Sequence, residues 1–470
     1  MPNETKSKKL LKNMIIYFIG NVSTKLIAFF MLPLYTMLIL REDFGYYYQI
    51  QNIMYVVVPM LFIEVWNGIL RFMYEQKETK DKYSIITNGF VITFTSTIIY
   101  FIAFAIFLNF VEIRNPMLVV LYGSLYSIQF VFQYAARGLG KNMVFMVSGI
   151  VCSVVNIASN IVLIVFFKMG LSALLISYCL GMFASIIAVE IGAGIIRNNN
   201  SWKIDKAILR KMFIYCAPLL VNTIPYWFLS SYNSIVIFNV LGESQNGVFA
   251  VAVRIGVVLT LFTTVFNMAW QEAAFEVSSS SGRGIYYSKV LNNYIKVLVC
   301  GMLVILPLVS ITFSYFVLGE GYSGAKVLLP LYFLAASFSA VSGFFGQLFE
   351  AEKKTNIIFI STLAGGAVSV FAVHMLIPLI GLQAAAISMI LGFGVNIVIR
   401  MFLIQKSVKI SLNYGFIALS LVAFAGVGYC FFKGGLLGNV AVGIAAIVLS
   451  LYLCRDIIGG VLKGVKVGKR

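Results

Sequence analysis

Charge is what this 470-residue chain has least of: 11% of its residues are Asp, Glu, Lys or Arg, against 60% apolar ones. A soluble globular protein carries about 25% charged residues and about half apolar ones, so an ordinary soluble fold is excluded. Acid is the scarcer sign, with 17 residues against 35 basic ones, and histidine occurs once, as His374. One histidine cannot supply a His-based metal cluster, and no Ser/His/acid set stands out. Neither the G-x-x-x-x-G-K-[ST] phosphate loop nor the G-x-G-x-x-G dinucleotide turn occurs. No catalytic residue, metal or cofactor is therefore expected, and a driving force has to come from an ion gradient, the membrane potential or downhill flow. The six cysteines (Cys152, Cys179, Cys216, Cys300, Cys430 and Cys454) lie in or at the ends of apolar runs without metal spacing. They read as small core residues.

What is present is a series of apolar runs, several reaching 18 residues or more, the length that spans a bilayer. The excess of 18 positive charges sits between these runs rather than over a solvated surface, which argues against nucleic acid as a partner. Windows bounded by charge or Pro/Gly clusters predict 14 transmembrane helices in an all-α polytopic membrane protein. Their ranges are 12–37, 46–69, 84–108, 116–136, 143–167, 171–196, 212–239, 246–270, 287–313, 325–349, 356–377, 382–404, 413–432 and 438–454. The first run follows Lys6, Lys8, Lys9 and Lys12 but is too long for a secretory signal and lacks a small-residue cleavage pattern. With both termini in the cytoplasm, 27 basic residues fall on the cytoplasmic side and five on the other, the asymmetry that orients such proteins. All loops are short, which argues against glycan polymerases and glycosyltransferases with extended external loops or soluble domains.

The chain repeats itself. Leu10–Tyr17 matches Ile208–Tyr215 at an offset of 198, and Gly170–Ser177 matches Gly381–Ser388 at an offset of 211. Both matches displace a span by six, which preserves its orientation and predicts two parallel six-helix lobes, 1–204 and 205–406, with substrate bound in a central cavity between them. Residues 407–470, holding spans 13 and 14 and a basic tail, lie outside the repeat.

A charge at bilayer depth costs at least ~2.5–3.5 kcal/mol on insertion scales, so it faces a partner or a wet cavity. Lys25 is such a charge, roughly 20 Å of helix rise beyond Lys12. Tyr17, Asn21 and Lys25 form a polar stripe on span 1. Asn222, Thr223, Tyr226, Ser230 and Asn233 form another on the repeat-equivalent span 7, with Thr223 at the Lys25 position. Gly45 aligns with Gly247, which sets Arg254 of span 8 against Asn52. Arg254 and Lys296 are further cavity candidates, with snorkelling as the alternative. Glu64, the acid with the most buried setting, pairs with Lys25 or Arg71 or carries a coupling ion. Trp66 and Trp270 are expected in interfacial belts, and His374 as a packed histidine.

Several motifs now make the chain familiar: the Lys-rich start leading to Asn21 and Lys25, Glu42-Asp43-Phe44-Gly45-Tyr46-Tyr47, and Gly68-Ile69-Leu70-Arg71-Phe72. To these are added Ala269-Trp270, Lys353-Lys354-Thr355, and the run Leu376-Ile377-Pro378-Leu379-Ile380-Gly381-Leu382-Gln383-Ala384-Ala385-Ala386. In order and spacing, the chain resembles the bacterial oligosaccharide-repeat-unit flippases (the O-antigen, Wzx type) of the multidrug/oligosaccharidyl-lipid/polysaccharide exporter superfamily. It departs from them at Ser230-Ser231-Tyr232-Asn233-Ser234, where the family often has an Asp-Arg pair, and at Gln271, where a Pro commonly follows the Trp. That leaves Glu64 as the ion-coupling candidate, toward a H+ or Na+ gradient.

The resemblance implies alternating access and an undecaprenyl-diphosphate-linked oligosaccharide as substrate. It also implies membrane lipids as surroundings, a glycan polymerase and chain-length machinery as partners, and a monomer in the bacterial cytoplasmic membrane. A diphosphate seeks desolvated cations, the role of Lys25, Arg254 and Lys296. Sugars seek hydrogen bonds and flat apolar faces, the role of Asn21, Asn222, Tyr226, Trp227 and Asn233. The alternatives are a cation-coupled multidrug extruder, which wants an acidic cavity, and a flippase for another lipid-linked precursor of the lipid II kind.

Overall fold

The computed structural model describes residues 29–459 apart from Ser201, Ser279, Ser281, Leu318 and Ile458, and these form helices and short connections without a strand. Many large apolar side chains point outward, among them Phe94, Phe371 and Leu437 at 68%, 67% and 84% exposure. Water gives them no reason to do so; a hydrocarbon solvent does, and helices satisfy their own backbone groups there. Twelve of the described helices are long and apolar enough to cross a bilayer, or thirteen with one bent pair taken as a single span. The protein is a multi-pass membrane protein.

Of the first expected span, only the end is described, α1 (Leu32–Leu38). The second is broken into α2 (Arg41–Leu61) and α3 (Val65–Glu75), bent by 50°. Spans 3 to 6 follow as α4 (Thr79–Phe107), α5 (Pro116–Gly138), α6 (Asn142–Phe166) and α7 (Leu171–Ala193). The seventh is interrupted too, as α8 (Lys206–Ser230) and α9 (Tyr232–Leu241). The remainder are α10 (Glu243–Val277), α11 (Arg283–Phe316), α12 (Ala325–Ala351), α13 (Thr355–Ile380), α14 (Gln383–Gln405), α15 (Tyr414–Lys433) and α16 (Gly435–Leu453).

Two compact units divide the chain, one ending at Gly247 and the other beginning at Val248, within the second turn of α10. In the first unit, α5, α6 and α7 are tied by Gln133, whose amide donates to Ser148 and Ser185 at 3.2 Å each. Gly181 lets α7 press on α6: a Cβ there would lie 2.6 Å from the Cys152 carbonyl. In the second unit the tight glycine is on the earlier helix, Gly365 of α13, whose Cβ would meet at 2.6 Å the carbonyl of Gly392, the position 211 residues after Gly181. α7 and α14, both of 23 residues, begin at the matched sequences. Small residues at such crossings let backbones pack where lipid offers no hydrophobic drive.

Arg400, inside the predicted span 382–404, is an interior residue. It is 4% exposed inside α14. Its guanidinium donates to Ser361 Oγ (2.9 Å), the Ser342 carbonyl (2.6 Å) and Thr362 Oγ1 (2.9 Å), which locks α12, α13 and α14 together. The two expected belt tryptophans are also interior residues. Trp66 is 5% exposed and packs on Phe130, with ring centroids 5.3 Å apart. Trp270 is 2% exposed, stacks on Phe344 and donates its indole N–H to the Phe344 carbonyl at 3.1 Å. An indole with a bonded N–H buries more area in the core than it would at an interface. His374 lies exposed on α13 rather than packed. Among the cysteines, Cys179, Cys216, Cys300 and Cys454 are buried, as expected, and Cys152 and Cys430 half-buried.

Candidate functional site

The two interrupted helices of the first unit meet at one carboxylate. α2 ends two residues after Pro59, whose missing N–H already weakens the ladder. Ile63 and Glu64 then take left-handed conformations (φ 47° and 49°), and α3 restarts at Val65. A left-handed non-glycine residue costs roughly 1–2 kcal/mol and persists where its surroundings over-determine it. Here the Glu64 carboxylate accepts from Asn67 Nδ2 at 2.7 Å and from Thr223 Oγ1 at 2.5 Å. Thr223 stands on α8 between the tight turn Ala217–Leu219 and the internal Pro225. Discontinuous helices of this kind build the substrate and coupling-ion sites of transporters.

Glu64 is 9% exposed, and no Lys or Arg among the described residues lies within ion-pair distance of it. Arg71, one expected partner, pairs instead with Glu75 at 3.2 Å. Along α5 runs an aromatic ladder at four-residue spacing, Tyr122, Tyr126, Phe130 and Tyr134, with successive centroids 6.4, 5.0 and 6.0 Å apart. Tyr126 and Tyr134 lie within electrostatic range of Glu64, and Tyr55 adds a further ring 6.2 Å from Tyr126. The spacing Tyr-x-x-x-Tyr-x-x-x-Phe-x-x-x-Tyr was readable in the sequence and was the missed signal.

Farther along the same unit, the repeat-equivalent glycines Gly45 and Gly247 touch backbone to backbone: a Cβ on Gly45 would sit 2.6 Å from Gly247 N. Asn246 donates to the Gly45 carbonyl at 2.8 Å, and Ser234 joins Gln49 and Asn246 at 2.9 Å each. Arg114 bridges Asp43 and Glu243 and lies over the Tyr46 ring, 4.3 Å from its centroid.

Of the residues expected to bind substrate, Asn21 and Lys25 lie outside the described residues. Asn222 is on α8 beside Thr223. Tyr226 is 53% exposed, whereas Asn233, on α9, is 1% exposed and buried. Span 7 therefore presents no single polar stripe, because the break at Ser231 resets the helical phase. Trp227 is also buried, its indole N–H donating to the Asn52 carbonyl at 2.7 Å, so its ring is a packing element rather than an open sugar platform. Arg254 and Lys296 belong to the second unit and are half-buried. Arg254 stands roughly 16 Å, and Lys296 roughly 20 Å, along helices that start several residues earlier than expected. What the structure does bring together is Glu64 of span 2 and Thr223 of span 7.

These features define a class: a multi-span helical protein with the transporter fold of the MurJ and MATE structures. The lipid II flippase MurJ, in an inward closed conformation, superposes with a TM-score of 0.70 at 14% identity, covering 94% of this chain and 100% of that one. An inward-facing multidrug resistance MATE family transporter of the MOP superfamily gives 0.61 at 14% identity, over 88% and 95%. A MOP superfamily transporter from Pyrococcus furiosus, described as having a binding pocket of reverse polarity, gives 0.55 at 14%, over 89% and 95%. The chain belongs to the family described as "Polysaccharide biosynthesis protein", which its residues 10–281 match. No curated protein matches it.

Proposed function

We propose that the protein is a flippase for undecaprenyl-diphosphate-linked oligosaccharide repeat units, turning them from the cytoplasmic to the outer leaflet by alternating access of lobes 1–204 and 205–406. Supporting this most directly is membership of a polysaccharide biosynthesis family in a chain whose fold matches the whole length of a lipid II flippase. The Lys/Arg asymmetry puts both termini in the cytoplasm. Lys25, Arg254 and Lys296 hold the diphosphate; Asn21, Asn222 and Tyr226 contact the sugars. Glu64, held by two neutral donors where two broken helices meet, carries the coupling proton or sodium ion.

Extrusion of drug cations is the second reading, favoured by the fold shared with MATE transporters. Against it stands the basic character of Arg254 and Lys296, which repel cations. Analysis of a deletion strain separates the two. The flippase reading predicts loss of a surface glycan and accumulation of lipid-linked repeat units in the inner leaflet, with unchanged drug susceptibility. Intact glycan with raised drug susceptibility would instead identify an extruder, and arrested cell-wall synthesis a precursor flippase of the lipid II kind.

A further inference from the structure

We infer that the second unit carries a binding site for the phosphate headgroup of an anionic phospholipid, formed by Lys289 and Lys409 at the end of α11. The site is a cavity of about 470 Å³ between the first turns of α11 and the connection from α14 to α15. Lys289 enters from the helix and Lys409 from the connection, and both are exposed. Neither forms an ion pair among the described residues, and no carboxylate lines the cavity.

Two surface lysines alone would mean little, because topology places them on this side in any case. Here the connection that carries Lys409 is fixed. Gln405 bonds both the N–H and the carbonyl of Ile410. Ser288 Oγ accepts from Ser411 N at 3.0 Å. Asn292 donates to the Ser411 carbonyl and accepts from Asn413 N, both at 2.9 Å. Gly284 allows the close approach, since a Cβ there would be 2.7 Å from the Lys409 carbonyl. The backbone that carries Lys409 is thus held beside α11 before a ligand arrives, which lowers the entropy lost on binding.

Ile285, which lines the cavity, is 81% exposed, an apolar surface suited to the glycerol and first methylenes of a lipid. Basic pockets on the cytoplasmic side of helical membrane proteins bind anionic headgroups on this principle. The inference holds whatever substrate the protein moves.

Native mass spectrometry of the full-length protein, offered equal phosphatidylglycerol and phosphatidylcholine, tests it. Wild-type protein is expected to retain phosphatidylglycerol by roughly thirtyfold over phosphatidylcholine. The double substitution Lys289→Gln/Lys409→Gln is expected to abolish that preference, Lys289→Arg/Lys409→Arg to keep it, and the charge-matched Lys77→Gln/Lys80→Gln to leave it unchanged. Asn292→Ala, which frees the connection, should weaken it. Undiminished preference in Lys289→Gln/Lys409→Gln, or equal loss in Lys77→Gln/Lys80→Gln, overturns the site. Release of the lipid by millimolar inorganic phosphate, which a headgroup anchored by its chains resists, overturns the choice of a lipid as its ligand.

Discussion

Lys25→Ala is expected to abolish export of the surface glycan while the protein stays inserted in the membrane in normal amount. The expectation rests on the place of Lys25 in the apolar sequence of span 1 and on the chemistry of the proposed substrate. An ammonium in an apolar span needs an anion or a wet cavity, and under the proposed function a lipid diphosphate would supply the anion. Removing one partner of a desolvated charge pair costs ~2–5 kcal/mol, about thirtyfold to several thousandfold in affinity. Lys25→Arg keeps the charge and retains part of the export. Glycan output measured against membrane-inserted protein decides the point: near-normal output from Lys25→Ala would remove the cationic cavity from the account.

Substitutions at Glu64 separate its two roles. Glu64→Ala leaves the Thr223 hydroxyl and the Asn67 amide without their acceptor and destabilises the protein by ~1–3 kcal/mol. Glu64→Gln keeps one carbonyl oxygen to accept from Thr223 and costs less than ~1 kcal/mol, but it removes the charge. Both variants are expected to lose gradient-dependent export, whereas only Glu64→Ala unfolds at lower temperature after purification. Wild-type export by Glu64→Gln would reduce Glu64 to a structural acceptor that pins α3 to α8.

The spans were legible because hydrocarbon solvent imposes one rule on every helix. The window 382–404 became Gln383–Gln405, and 116–136 became Pro116–Gly138. Hydropathy does not register where a helix breaks. The left-handed pair Ile63–Glu64 and the turn at Ala217–Leu219 depend on bonds between segments distant in sequence, Glu64 to Thr223 above all. Buried polar roles were equally hidden. The role of Arg400 near the end of its span, and the burial of Trp270, are hidden until their partners on α12 and α13 are seen. Glu64 was marked by its rarity as an acid in an apolar run; of its two expected partners, Arg71 has a nearer carboxylate one turn along its own helix, and Lys25 lies outside the described residues.

The central claim is translocation of a lipid-linked oligosaccharide, and purified protein in liposomes tests it most directly. Fluorescently labelled undecaprenyl-diphosphate oligosaccharide would be placed in both leaflets and quenched by a membrane-impermeant reductant. Wild-type protein is predicted to expose the protected half of the label to the reductant, and Lys25→Ala to leave it protected. Protection equal to that of protein-free liposomes for the wild type, in vesicles that nonetheless accumulate a cationic drug, would contradict the account.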